Sequence, residues 1–239
     1  MIISHKHRFV LLFPWKTASS TLWLRFRTYT ESPYPGFFHF NPHLNRVVHQ
    51  HLTLADFRQL PESRLGYTTA AFVRNPYDRA YSGFIQLQRD IAEQPGAAYP
   101  SEWIKELVAA QLAENSRRLI AAGYDFNKWI LTLPEYEIHE TGRNTNMPLH
   151  PANYWTHAHG QQSIDFVGKV ENFEEEVGRF CSLIGIPVPA KENANITVAL
   201  PADAGPSGYR HVSRMTRPAI DRINRLFADD FTAFGYEQV

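Results

Sequence analysis

The sequence predicts a three-layer α/β fold, and three observations carry that prediction. Phe9 to Phe13 (FVLLF) is a continuous apolar run, the pattern of a strand buried on both faces of a parallel sheet. Tyr67 to Val73 (YTTAAFV) reads as another strand. Each passes through a short polar, basic turn into a helical stretch, and repeated strand, loop and helix is the order from which α/β folds are built.

The remaining elements follow in order. Ser19 to Tyr29 has Leu22, Phe26 and Tyr29 on one helical face. Ser32 to Pro42 is rich in Pro and aromatics and predicts a loop. Arg46 to His49 is a candidate second strand of the fold. Thr53 and Asp56 stand at the spacing of a capping box, which starts a short helix over Thr53 to Leu60. Pro76 to Asp90 predicts a helix with proline in its first turn, where the missing N–H costs least. Ser101 to Ala122 predicts a helix with a stripe through Trp103, Leu107, Ala110, Leu112 and Leu119. Asp125 to Leu133 is a further helix. Thr141 to Gly160 is polar, histidine-rich and without periodicity, so it reads as a long loop of the functional kind. Ile164 to Val167 returns to strand, Glu171 to Leu183 to helix, and Ala190 to Arg210 to loop. One helix closes the chain from about Thr216 to Phe234, with Ile220, Ile223, Leu226, Phe227 and Phe231 on one side.

Bulk properties narrow the function. The chain of 239 residues is read as one domain. Its 24 basic and 24 acidic residues cancel, which argues against an extended nucleic-acid footprint but leaves room for a local anion pocket. The lone Cys181 cannot form an internal disulfide, and its helical apolar setting of Val177, Phe180 and Ile184 marks a core position. No stretch approaches bilayer length, so no membrane span is expected and the default location is cytoplasmic.

Two turns carry chemistry. FPWKTASSTL puts Lys16, Thr17, Ala18, Ser19, Ser20 and Thr21 where a strand hands over to a helix. A helix start offers unpaired N–H groups and a positive partial charge to an anion. No glycine lies in the turn, so a Walker-type triphosphate site is poorly matched. TTAAFVRNPYDRAYSGF repeats the theme: Arg74 closes a strand, Pro76 opens a helix, and Arg79 and Ser82 follow. A guanidinium can grip a phosphate through two N–H groups at once.

Together these turns resemble the two donor loops of sulfotransferases that use 3′-phosphoadenosine-5′-phosphosulfate (PAPS). PWKTASSTL resembles the 5′-phosphosulfate loop, nearest to that of the Golgi-type carbohydrate enzymes, including the heparan 2-O type. Its departure is Trp15 directly before the lysine, with Pro14 one residue earlier. Arg74, Asn75, Pro76, Arg79 and Ser82 fill the fixed positions of the 3′-phosphate loop, Arg-(Asp/Asn)-Pro-x-x-Arg-x-x-Ser. HQHLTLADF resembles the segment carrying the catalytic base, which places the base on His51 among 11 histidines, with His49 as the alternate. IDFVGKVENF resembles the closing strand-and-helix signature, and the Glu174 to Glu176 run after it reads as a solvated helix face.

The resemblance implies a P-loop-like fold with a central parallel sheet flanked by helices. It implies transfer of a sulfuryl group from PAPS to a hydroxyl of a glycan or glycosylated small-molecule acceptor, releasing adenosine 3′,5′-bisphosphate. Lys16 and His51 would do the chemistry. Lys16, Thr17, Ala18, Ser19, Ser20, Thr21, Arg74 and Ser82 would hold the donor, with Tyr209 and Arg210 from the last loop. Asn193 and Asn195 lie in the same loop, and Arg143, Tyr154 and Trp155 are candidates for acceptor contact. No metal is expected: His150, His157 and His159 lack acidic partners, and His5 and His7 read as solvated. Two alternatives stay open, a small-molecule kinase and a nucleotide-binding module without catalysis.

Overall fold

The computed structural model describes residues 1–34, 38–93, 102–135, 150–192 and 209–239. They fall into two compact units, Met1–Arg74 with Ala152–Val198, and Asn75–Pro151 with Ala199–Val239.

The first unit is built on a four-stranded sheet. Its strands are β1 (Ile2–Ser4), β2 (Phe9–Leu12), β5 (Thr68–Val73) and β8 (Phe166–Lys169), in the order β1-β2-β5-β8. β2, β5 and β8 run parallel, with Phe9 opposite Thr68 and Ala70 opposite Phe166. β1 runs antiparallel at one edge, Ile3 opposite Val10. Successive side chains of a strand point to opposite faces, and FVLL uses both. Phe9 and Leu11, with Phe13, pack on one side with Leu22, Phe26, Phe72, Val177, Phe180 and Cys181. Val10 and Leu12 pack on the other with Ile3, Leu54, Phe57, Ala71 and Trp155. The first side is covered by α1 (Ser19–Phe26) and α6 (Phe173–Ile184), the second by α2 (Leu54–Phe57) and a turn of 3-10 helix at Ala152–Trp155. The predicted layering, helices on both faces of a mostly parallel sheet, is therefore present within this unit.

Three local details explain the sequence pattern. Gly168 of β8 lies under the Phe72 ring, where an added Cβ would come within 2.8 Å of Cε1, so the glycine in FVGK makes room for a core aromatic. Arg25 of α1 makes a two-pronged ion pair with Glu174 of α6, at 3.0 and 2.6 Å, and holds that carboxyl below its usual range. Glu176 is buried and bonded to Arg179, so the glutamate run is not simply a solvated face: it carries a helix-to-helix tie at its first member and an internal pair at its third. Cys181 is a core residue, its thiol pushed up to about 11 by burial.

Some expectations need correction. Arg46–Val48 is a strand (β4), but it does not join the main sheet. It pairs antiparallel with β3 (His39–Asn41), which lies in the segment expected to be loop. Aromatic and histidine side chains at 38–40 suit a pleated strand as well as a loop, so composition could not decide. His157–Ala158 (β6) and Gln161–Gln162 (β7) form a second small hairpin, its first strand at the end of the other expected loop and its second just beyond it. His5 is exposed, as expected, with Nδ1 3.1 Å from the Tyr67 hydroxyl, whereas His7 is half-buried with its ring edge-on against Tyr29.

The second unit is helical. It contains α3 (Pro76–Glu93), α4 (Glu102–Ala121), α5 (Phe126–Leu131), α7 (Arg217–Leu226) and α8 (Ala228–Phe234). Asn75 caps α3, its Oδ1 accepting from the N–H groups of Tyr77 (2.9 Å) and Asp78 (3.3 Å). α4 buries Ile104, Asn115 and Leu119 and leaves Trp103 and Ala110 exposed, so the expected stripe was one residue out of phase at its start. The closing helix is broken at Phe227 (φ −120°, ψ 28°). The apolar spacing runs through the break and no glycine or proline marks it, which is why the sequence reads as one helix. Among the described residues no helix is long and apolar enough to cross a membrane.

Candidate active site

The first donor turn lies in the sheet unit. β2 ends at Leu12, and α1 begins six residues after Phe13 at Ser19. Between them Lys16 and Ala18 both take φ near 61°. Left-handed backbone costs a residue with a Cβ about 1–2 kcal/mol, and such strain concentrates at functional sites. The turn adopts without glycine a conformation that glycine normally supplies. Thr17 is buried and closes it, its hydroxyl donating to the Pro14 carbonyl at 2.8 Å. Ala18 is the N-cap of α1 and has no side chain to offer, so no side-chain cap occupies the helix start. Lys16, Ser19 and Ser20 are half-buried around that start, and the Lys16 ammonium lies 5.6 Å from the centre of the Trp15 ring. Trp15, the departure from the expected pattern, thus serves as a platform for the lysine.

His51 meets the same turn. The segment after β4 is fixed by the capping box of α2: Thr53 Oγ1 accepts from the Asp56 N–H, and the Asp56 carboxylate accepts from the Thr53 N–H. Two residues earlier, His51 Nδ1 lies 2.7 Å from the Phe13 carbonyl oxygen. A carbonyl only accepts, so Nδ1 carries the proton and Nε2 presents a lone pair. Burial is the main cause that takes the His51 pKa down to about 3, and the Lys16 charge works in the same direction. The imidazole is therefore neutral through the physiological range. His49 stacks on it, ring centres 4.9 Å apart and 20° from parallel, and burial also holds His49 well below its ordinary value.

The second motif straddles the boundary between the units. Arg74, half-buried, follows β5 and is the last residue of the first unit's N-terminal segment. Ser82 is buried on α3 in the second unit. Arg79, between them in the pattern, is committed to the interior of that unit. It is 2% exposed, donates to Asp230 at 3.1 Å and to the His150 carbonyl at 2.8 Å, and lies over the Phe227 ring. Packing within that unit accounts for its place in the pattern.

A profile of the Sulfotransferase family matches residues 1–237. The chain belongs to the sulfotransferase family. Two curated relatives bear the name carbohydrate sulfotransferase 8. The Mus musculus protein is 29% identical over 187 residues, covering 72% of this chain and 40% of its own. The Homo sapiens protein is 32% identical over 128 residues, covering 51% and 27%. This sulfotransferase-family chain therefore spans less than half the length of either. No solved structure gives a significant match.

The remaining candidates can be placed within this member of the family. Tyr209 is half-buried in the second unit, its hydroxyl accepting from the Glu237 N–H at 3.0 Å. Arg210 is exposed beside it. Trp155 is fully buried in the sheet core, and Tyr154 packs against the same cluster. Trp155 is not open for a sugar to stack on, which corrects its acceptor reading, while Tyr154 is half-buried. Arg143, Asn193 and Asn195 lie outside the described residues. Among the described residues no cluster of ligands for a metal ion occurs. Sequence reasoning missed the Phe13 carbonyl, because a backbone acceptor leaves no mark in the side-chain pattern. It also missed Asp78 of α3, whose carboxylate partners Arg210 and His211 are 132 and 133 residues away.

Proposed function

We propose that this chain transfers the sulfuryl group of PAPS to a hydroxyl of a carbohydrate or glycosylated acceptor, its two units acting as one P-loop-like sulfotransferase domain. The observation that carries the reading is the bond from His51 Nδ1 to the Phe13 carbonyl. It hangs a neutral imidazole on the backbone three residues before Lys16, so that a proton acceptor and a cation share one strained turn. The uncapped start of α1 and the Lys16 charge suit the 5′-phosphosulfate end of the donor. Arg74, Ser82 and Arg210 are assigned to the 3′-phosphate.

In this mechanism His51 Nε2 takes the proton of the acceptor hydroxyl as its oxygen bonds to sulfur. The bond from sulfur to the bridging phosphate oxygen breaks in line. Lys16 and the α1 N–H groups face the charge that develops on the departing 5′-phosphate. The products are a sulfate ester and adenosine 3′,5′-bisphosphate, with one proton left on His51.

The test is incubation with sulfur-labelled PAPS and a panel of glycan acceptors. Label should pass to a glycan, and to a much smaller extent with the Arg74→Ala variant at low donor concentration. A lost charge-assisted phosphate contact is worth about 1.5–3 kcal/mol, or roughly a ten- to hundred-fold weaker donor affinity. No transfer to any carbohydrate, with transfer to a simple phenol or sterol instead, would remove the acceptor class. Unchanged donor affinity in Arg74→Ala would remove Arg74 from the 3′-phosphate site.

A further inference from the structure

The segment Tyr209–His211 is clasped to one side of α3 by three separate contacts. The Tyr209 ring packs against Tyr77, centres 5.8 Å apart. Asp78 accepts the backbone N–H of Arg210 on Oδ2 at 3.4 Å and that of His211 on Oδ1 at 3.1 Å. The His211 ring stacks on Tyr81, 4.4 Å between centres and 21° from parallel. Residues three and four apart on a helix are neighbours, so Tyr77, Tyr81 and Asp78, Ser82 form two adjoining rows. The clasp therefore ties the Arg210 backbone within about one helical turn of Ser82. Asp78 is buried, while Arg210 is exposed. Among the described residues the hydrogen bonding of Arg210 is through its backbone N–H, which leaves the guanidinium for another purpose.

We infer that Asp78 is a positioning residue for the 3′-phosphate: its carboxylate fixes the Arg210 backbone so that the guanidinium closes on the phosphate beside Ser82. The inference rests on the proposed donor assignment. It also accounts for an acidic side chain where an anion is to bind. A bare carboxylate one turn from a phosphate would repel it, but here each oxygen is engaged by a backbone N–H.

The experiment is calorimetric titration of adenosine 3′,5′-bisphosphate and of 5′-AMP into the wild type, Asp78→Ala, Asp78→Asn, Arg210→Ala and the double variant Asp78→Ala/Arg210→Ala. Asp78→Ala and Arg210→Ala should each weaken the bisphosphate by roughly ten- to hundred-fold, the worth of a charge-assisted contact. The double variant should be no weaker than Arg210→Ala alone, because both changes remove the same contact. Asp78→Asn, which keeps one acceptor oxygen, should fall between wild type and Asp78→Ala. Affinity for 5′-AMP should stay constant throughout. Additive losses, or a parallel loss of 5′-AMP affinity as from a general packing defect, would overturn the role of Asp78 alone. A wild type that does not prefer the bisphosphate to 5′-AMP would overturn the donor assignment and this inference with it.

Discussion

Replacing His51 with alanine should lower turnover by about 10²–10⁴, the usual worth of a positioned base, while leaving affinity for adenosine 3′,5′-bisphosphate intact. His51→Gln separates base from prop. A glutamine amide can still donate to the Phe13 carbonyl, but it has no basic nitrogen. If His51 is the proton acceptor, both variants lose turnover alike and both keep product binding. If its role is to brace the turn through Phe13, glutamine restores activity. The pH dependence gives a second reading. His51 has its pKa drawn from the ordinary 6.5 down to about 3 by burial. Its neutral form is therefore the native one. It contributes stability fully present above about pH 6.5 and lost as pH falls from there toward 3. The acid limb of kcat/KM, which reports the free enzyme, should lie well below pH 6. An acid limb near 6.5 that vanished in His51→Gln would show an exposed, unshifted imidazole and contradict the buried arrangement.

Asp230→Ala should be the most damaging change to stability. It leaves the Arg79 guanidinium, 2% exposed, without its carboxylate counter-charge. Removing one member of a buried ion pair costs about 3–5 kcal/mol, which for a chain of this size lowers Tm by on the order of 10 °C. The double replacement Arg79→Met/Asp230→Leu should recover much of that loss, because no buried charge is left unpaired. Thermal unfolding of the three proteins checks both statements. A Tm for Asp230→Ala within a degree of wild type would contradict the burial of an ion pair between Arg79 and Asp230.

Strand β2 was legible because FVLLF leaves no polar face, and a strand without one must be covered on both sides. The α2 cap was legible from Thr53 and Asp56 alone, since a capping box is a local device. What the sequence hid was long-range. Nothing near Arg79 says that it faces Asp230, and nothing in the run of glutamates says that Glu174 reaches Arg25 of α1. Trp155 shows the same limit from the other side: an aromatic in a polar stretch suggested a sugar platform, and the fold made it core. The candidate site was legible as residue types in two turns. Its geometry was not, because the tautomer of His51 is set by a backbone carbonyl 38 residues away.

The central claim is that the chain binds its donor selectively through the 3′-phosphate. Calorimetry on the unmodified chain tests it most directly, titrating adenosine 3′,5′-bisphosphate, 5′-AMP and ATP with magnesium in parallel. The account predicts that the bisphosphate binds far more tightly than 5′-AMP and more tightly than ATP with magnesium. No binding of the bisphosphate, or a preference for ATP with magnesium, would contradict it and favour a kinase.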